Sequence, residues 1–302
     1  MEEQSFSPEF KPIGLEDREI IGKILWDYQP ETSDLTFTNL FIWRHCYGIA
    51  WARHQDWLLV TGHSLDGGAW ALPPIGPPPR IEVSGRLLAW LREVQTVADP
   101  HLERADRRLA AELENAPGFS LEPTRDHFDY VYRTQDLISL PGGKYHSKRN
   151  YINTFIQSYA YRYETLTTEH IPFCLDMAEA WCAVRRCEED LGLMEERQAV
   201  GEALENFSAL NLKGGVLLME GKVQAFTLGE LLNRETAVIH IEKANPEIRG
   251  LYAVINQEFC RQAWAEVPFI NREQDLGEPG LRSAKQSYHP HRLVEKFRVR
   301  LG

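Results

Sequence analysis

The sequence has few cysteines: Cys46, Cys174, Cys182, Cys187 and Cys260, five in 302 residues. The number is odd and no pair is spaced C-x-x-C, which argues against a disulfide framework or a zinc ribbon and predicts reduced thiols in a cytoplasmic protein. No run approaches the ~20 apolar residues of a membrane-spanning helix. The acidic, polar start MEEQSFSPEF lacks the features of a signal peptide. Positive charge is in deficit, with 33 Lys+Arg against 44 Asp+Glu and a net charge of −11, which argues against non-specific nucleic-acid binding. The deficit is uneven: residues 1–140 hold 13 basic and 22 acidic side chains, and residues 141–302 hold 20 and 22. A polyanionic partner would therefore meet a local patch of the second half. The motifs G-x-S-x-G, Walker A, G-x-G-x-x-G and H-E-x-x-H are all missing. His289-Pro-His291 offers too few ligands for a metal site, so no metal is expected.

What is present suffices for two domains. Leu140-Pro-Gly-Gly143 is the strongest break, and it predicts domains over 1–140 and 141–302. In the first, periodicity predicts a helix over 13–28 and a short helix carrying Leu40, Phe41 and Trp43, capped by Ser33 or Asp34. Strands follow at 49–53 and 57–61, and an extended piece is opened by Gly67-Gly68. Pro73 to Pro79 form a surface connection. Two helices are marked by Leu87–Val94 and by Leu102, Leu109, Ala110 and Leu113, and strands by 119–121 and 129–134. In the second, a helix after the break buries Ile152, Phe155, Ile156 and Tyr159, and a strand covers 163–167. Helices over 172–187, with Phe173, Met177, Trp181 and Val184 inward, and 195–209 come next. Period-2 strands at 215–219, 223–231 and 236–242 flank a hairpin at Glu220-Gly221-Lys222. A helix over 249–264, a strand over 267–270, a helix from Pro279 and a last strand over 294–301 complete the chain. The fold class is α+β, layered, with mixed and mostly antiparallel sheets flanked by helices.

Three clusters could carry chemistry. Lys144, His146, Lys148 and Arg149, followed by Asn150, open a helix, where free N–H groups also attract anions; a phosphate or carboxylate would explain both. His240 and Glu242 share one face of a strand and need a polar cavity or partners. In FINREQDLGEPGLRSAKQSYHP (269–290) a buried strand ends in Asn271, Arg272, Glu273 and Asp275, and a helix follows. Leu281, Ala284 and Tyr288 make its inward stripe, with Arg282, Lys285 and His289 beside it. Glu273 and Asp275 could serve as general base or amine anchor, while Arg282 and Lys285 could hold an anion or a developing oxyanion. A structural ion-pair corner would use the same residues.

LTFTNLFIWR (35–44), LPGGKYHSKRNYINTF (140–155), IHIEKANPEIRGLYAVINQEF (239–259) and INREQDLGEPGLRSAKQSYHP (270–290) together resemble a bacterial family similar to the C-terminal domain of phosphatidylglycerol lysyltransferases. The resemblance implies two GNAT-like acyltransferase folds in tandem. It also places Glu242, Asp275, Arg282 and Lys285 in a cleft between the halves. Relatives move an aminoacyl group from aminoacyl-tRNA to a lipid headgroup or a peptide. The implied reaction is attack of an acceptor amine or hydroxyl on an activated carbonyl. Glu242 or Asp275 would position or deprotonate the acceptor, and Lys285 or Arg282 would stabilise negative charge. Lys144, Lys148 and Arg149, with Asn150, would hold donor phosphates, and His240, Asn271 and Glu273 would complete the binding set. Aminoacyl-tRNA or acyl-CoA is the expected donor and an anionic lipid headgroup or peptide the expected acceptor, with no other cofactor. The stretch NPEIRGLY (245–252) has only Gly250 where many acetyl-CoA enzymes have a glycine-rich loop. A non-catalytic module sensing an anionic metabolite or lipid headgroup, and an acetyl-CoA N-acetyltransferase, are the alternatives.

Overall fold

The computed structural model describes residues 6–64 and 68–302. Gly67 of the expected Gly-Gly opening, and the start MEEQS, lie outside the described residues. The chain divides into two compact units: Met1–Asp129 with Gln274–Glu278 and Leu293–Gly302, and Tyr130–Glu273 with Pro279–Arg292. The division thus comes at Asp129 rather than after Leu140, and the chain returns to the first unit twice.

In chain order the strands of the first half are β1 (Lys11–Pro12), β2 (Ala50–His54), β3 (Trp57–His63), β4 (Ala69–Ala71), β5 (His101–Ala105), β6 (Phe119–Pro123) and β7 (Asp129–Arg133). Then come β8 (Arg162–Thr165), β9 (Lys213–Met219), β10 (Lys222–Leu231), β11 (Thr236–Ala244), β12 (Phe269–Asn271), β13 (Arg292–Val294) and β14 (Phe297–Leu301). Among the described residues they form two sheets, ordered β1-β2-β3-β4-β5-β14-β6 and β13-β7-β12-β11-β10-β9-β8. The helices used below are α1 (Arg18–Tyr28), α2 (Phe37–Ile42), α3 (Ile81–Glu93), α4 (Arg107–Leu113), α5 (His146–Ser158), α6 (Ile171–Arg185), α7 (Leu191–Glu205), α8 (Leu251–Ala263) and α9 (Pro279–Gln286).

In the first unit, Leu87, Leu88 and Leu91 of α3 and Leu109 and Leu113 of α4 pack with Leu59, Leu102 and Val299 of the sheet. Leu102 was expected on a helix but lies in β5. The helix starts only after Asp106, whose carboxylate accepts from Leu109 N at 2.9 Å. Similarly, α2 is capped by Thr36, which accepts from Asn39 N at 3.0 Å, and not by Ser33 or Asp34. Those two residues serve a buried network instead. Lys296, 0% exposed, places Nζ 2.6 Å from both Asp129 and Asp34, and Ser33 N donates to Asp129 at 2.7 Å. Removing one member of such a network leaves an uncompensated buried charge, at about 3–5 kcal/mol.

In the second unit, Glu220 and Gly221, with φ of 50° and 76°, make the two-residue turn that joins β9 to β10. Leu251, Val254, Ile255 and Phe259 of α8 are buried as the periodicity predicts, whereas of the stripe expected along α5 only Ile152 and Phe155 are buried, and Ile156 and Tyr159 are exposed. On α6 the stripe differs. Cys174, Met177, Ala178, Trp181 and Cys182 are buried, whereas Phe173 and Val184 are exposed. The helix ends at Arg186 in the left-handed region, which brings Cys187 back to Cys182 with a Cα separation of 5.1 Å. The two form a disulfide, against the expectation of reduced thiols throughout; Cys174 and Cys260 are free and buried.

Candidate active site

Strands β11 and β12 run parallel but pair only from Thr236–Phe269 to Val238–Asn271. Beyond Asn271 the chain turns away, so the carboxyl half of β11 keeps β10 as its pairing neighbour. Polar side chains from separate segments of the second unit meet at this edge. Arg272 Nη2 donates to Glu242 Oε1 at 2.8 Å, and Asn256 Nδ2 of α8 donates to Glu242 Oε2 at 3.0 Å. The Arg272 guanidinium lies 4.9 Å from the Tyr288 ring centroid and 5.9 Å from that of Tyr132. Lys148, on α5, sets its ammonium 4.1 Å from the same Tyr288 ring.

The charges are unequal in their compensation. Glu242 pairs with Arg272, whose side chain is 15% exposed, and keeps it firmly protonated although burial opposes charge. Half-buried Lys148 makes no hydrogen bond or ion pair among the described residues. Burial lowers its pKa to about 8, Arg272 pushes it the same way, and Glu242 opposes. Burial also raises the Tyr288 hydroxyl to about 12, with Arg272 opposing. Arg272 Nη1 and Asn256 Oδ1 are buried without an aligned hydrogen-bond partner.

A supporting layer holds this edge. Lys285 of α9 donates to the carbonyls of Arg272 and, at 3.3 Å, Glu273. Tyr132 Oη donates to Lys285 O at 2.8 Å, and Tyr145 Oη to Tyr288 O at 2.9 Å. On α9, Leu281 and Ala284 face outward, while Arg282 and Lys285 are half-buried, the reverse of the expected stripe; Tyr288 is buried as expected. The long cationic side chains turn inward because main-chain carbonyls at the end of β12 accept from Lys285.

The other expected residues are distributed as follows. Of the basic cluster, only Lys148 reaches Tyr288. Lys144 is exposed, Asn150 contacts His146, and Arg149 donates to the carbonyls of Leu140 and, at 2.7 Å, Gly142. His240, with a side chain 1% exposed, is held between Glu230 and Glu273. Asn271 is buried, and its Oδ1 accepts from Glu273 N at 2.8 Å. Asp275 is buried in the first unit, 3.3 Å from Arg125 and accepting from Gly277 N at 2.9 Å. Gly250, with φ 91°, precedes α8, and a Cβ there would stand 2.8 Å from Tyr151 O. The N–H groups of Leu251 and Ala253 already donate to Ile248 and Gly250 carbonyls. The sequence marked Arg272 only as part of a strand end, with no role of its own, and gave no role to Asn256 or Tyr132. Asn256 carried a usable signal, a polar residue between the apolar positions 254, 255 and 259 of one helix.

Residues 27–300 match the family described as phosphatidylglycerol lysyltransferase, C-terminal. A conserved Bacteroides thetaiotaomicron protein of unknown function is 35% identical, with TM-score 0.91 over 98% of this chain and 100% of that one. The structure of L-PGS from Bacillus licheniformis is 12% identical, with TM-score 0.61 over 90% and 94% of the two chains. A tandem GNAT protein from the clavulanic acid biosynthesis pathway is 12% identical, with TM-score 0.51 over 98% of each. The fold is thus the tandem GNAT-like one expected from the sequence. No helix among the described residues is long and apolar enough to cross a membrane.

Proposed function

The chain belongs to the phosphatidylglycerol lysyltransferase C-terminal family, and from that membership we propose that its second unit transfers an aminoacyl or acyl group from an activated donor to an amine or hydroxyl acceptor. The observation that carries this reading is Lys148. It is a half-buried cation with no ion pair among the described residues, set on Tyr288 beside the Arg272–Glu242 pair. An acceptor N–H or O–H attacks the donor carbonyl carbon. The neutral fraction of Lys148 takes the proton that the nucleophile loses and returns it to the leaving oxygen as the carbonyl re-forms. The Arg272 guanidinium, beside Lys148, stabilises the charge that develops on the carbonyl oxygen. Glu242 and Asn256 fix the guanidinium, and Lys285 fixes the main chain that presents it. In this reading Asp275 keeps the structural pairing with Arg125 and takes no part in transfer. An aminoacyl ester such as aminoacyl-tRNA suits the site better than an acyl-CoA, because the Leu251 and Ala253 N–H groups that open α8 already donate within the chain.

The test is transfer of labelled aminoacyl groups from total charged tRNA to a panel of lipid headgroups, peptides and small amines. Labelled product that depends on Lys148 and Arg272 supports the reading. A ligand that stabilises the protein with no product from any donor, acetyl-CoA included, would replace it by the sensing module.

A further inference from the structure

Strand β11 carries one residue more than the strand opposite. Leu228 pairs with Ile241 and Gly229 with Ile239, so His240 is bulged out of the ladder. Its buried ring sits between two carboxylates, with Glu273 Oε1 2.8 Å from Nδ1 and Glu230 Oε1 3.0 Å from Nε2. Carboxylates only accept, so both contacts are hydrogen bonds only when both ring nitrogens carry hydrogen. Glu230 of β10 and Glu273, after β12, are the charged groups that face the ring.

Glu273 is itself held in an uncommon conformation, φ 56°. Its carbonyl accepts from Tyr130 N at 3.1 Å and from Lys285, and the preceding residue, Arg272, donates its N–H to Tyr130 O at 2.9 Å. A small rotation at Glu273 would therefore be felt by the Arg272 side chain.

We infer that His240 is a positioning residue: as an imidazolium it clamps Glu273 in this turn and so keeps Arg272 against Glu242 and beside Lys148. The inference rests on the reading of Lys148 and Arg272 as the transfer site, but the clamp can be tested without turnover. Burial opposes charge on His240, yet its hydrogen bonds to Glu230 and Glu273 and their charges raise its pKa to about 9. The clamp is therefore closed across neutral pH and opens above it, when one ring nitrogen turns a lone pair toward a carboxylate.

The experiment is trace acetylation of the full chain with acetic anhydride across pH, with labelling of each lysine read by peptide mass spectrometry. In the wild type Lys148 is expected to titrate near 8, with exposed Lys23 as internal reference. In His240→Gln the Lys148 midpoint is expected to rise by about one unit toward the ordinary lysine value, because Arg272 is no longer fixed beside it. A folded His240→Gln protein with an unchanged midpoint would overturn the inference. Should that variant fail to fold, Glu273→Ala breaks the same link and is expected to give the same rise; an unchanged midpoint in the folded variant is equally decisive. Labelling needs no substrate, so a wild type that transfers nothing would sink the functional reading and leave the clamp standing.

Discussion

Lys148 owes its lowered pKa first to burial and then to the Arg272 guanidinium, with Glu242 opposing, and its ammonium rests on the Tyr288 ring. Replacing it with methionine removes the proton acceptor without orphaning a partner. Lys148→Met is therefore expected to lower transfer about 10²–10⁴-fold with an unchanged melting temperature, measured by initial rates and thermal melts. In the wild type, kcat/KM should rise with pH through an inflection near 8, as the amine becomes neutral. His240 has the opposite linkage. Its folded pKa, about 9, lies above the unfolded value near 6.5. Its contribution to stability is therefore fully present below pH 6.5 and is lost as pH rises through 9. A shift of that size is worth about 3 kcal/mol. Lys148, with its lowered pKa, has the opposite linkage over the same range, so urea unfolding at pH 6.5 and pH 10 should show this loss in Lys148→Met and not in Lys148→Met combined with His240→Gln. At this scale the sequence disclosed Lys148, Glu242 and His240 as candidates, since each is a charged or titratable residue inside an otherwise structured stretch. It could not disclose Arg272 as the hub, because that depends on where β12 stops pairing with β11.

The period-2 pattern over 236–242 is that of a plain strand, and it hid the bulge at His240 because a one-residue skip in register leaves no mark in composition. Gly229 opposes that bulge. A Cβ there would stand 2.4 Å from Val238 O, main chain that cannot swing aside. Gly229→Ala is expected to destabilise the protein by about 1–3 kcal/mol, read from denaturant melts. It should also disturb Lys148 labelling, because Val238 and Ile239 lead directly into His240. Elements with strong local signals were legible: the β9–β10 hairpin from its Glu220-Gly221 turn, and α8 from its apolar spacing. The inward face of α9 was not. Hydrophobicity placed Leu281 inside, whereas hydrogen bonds to main-chain carbonyls outside the helix draw Lys285 in. Leu102 was misplaced because a lone leucine before a helix fits either period, and the Asp106 cap decides it.

For the molecule as a whole, two α+β units of one fold type could be inferred from the order of helices and strands, and the family from four separated stretches. The interleaving of the units could not, since no local pattern says which sheet a terminal strand joins. Strand β14 lies between β5 and β6, inside the first unit's sheet, with Val299 fully buried. A chain ending at Glu295 is therefore expected to lose the first unit's fold, seen as its selective digestion in limited proteolysis. The same unit made from residues 1–129 alone should not fold. The most direct check of the account is the full chain, incubated with total charged tRNA bearing labelled amino acids and the acceptor panel, wild type beside Lys148→Met. Label should move to an acceptor with the wild type and fail to move with a variant of equal melting temperature. Equal transfer by both proteins would contradict the role given to Lys148, and transfer by neither would contradict the function.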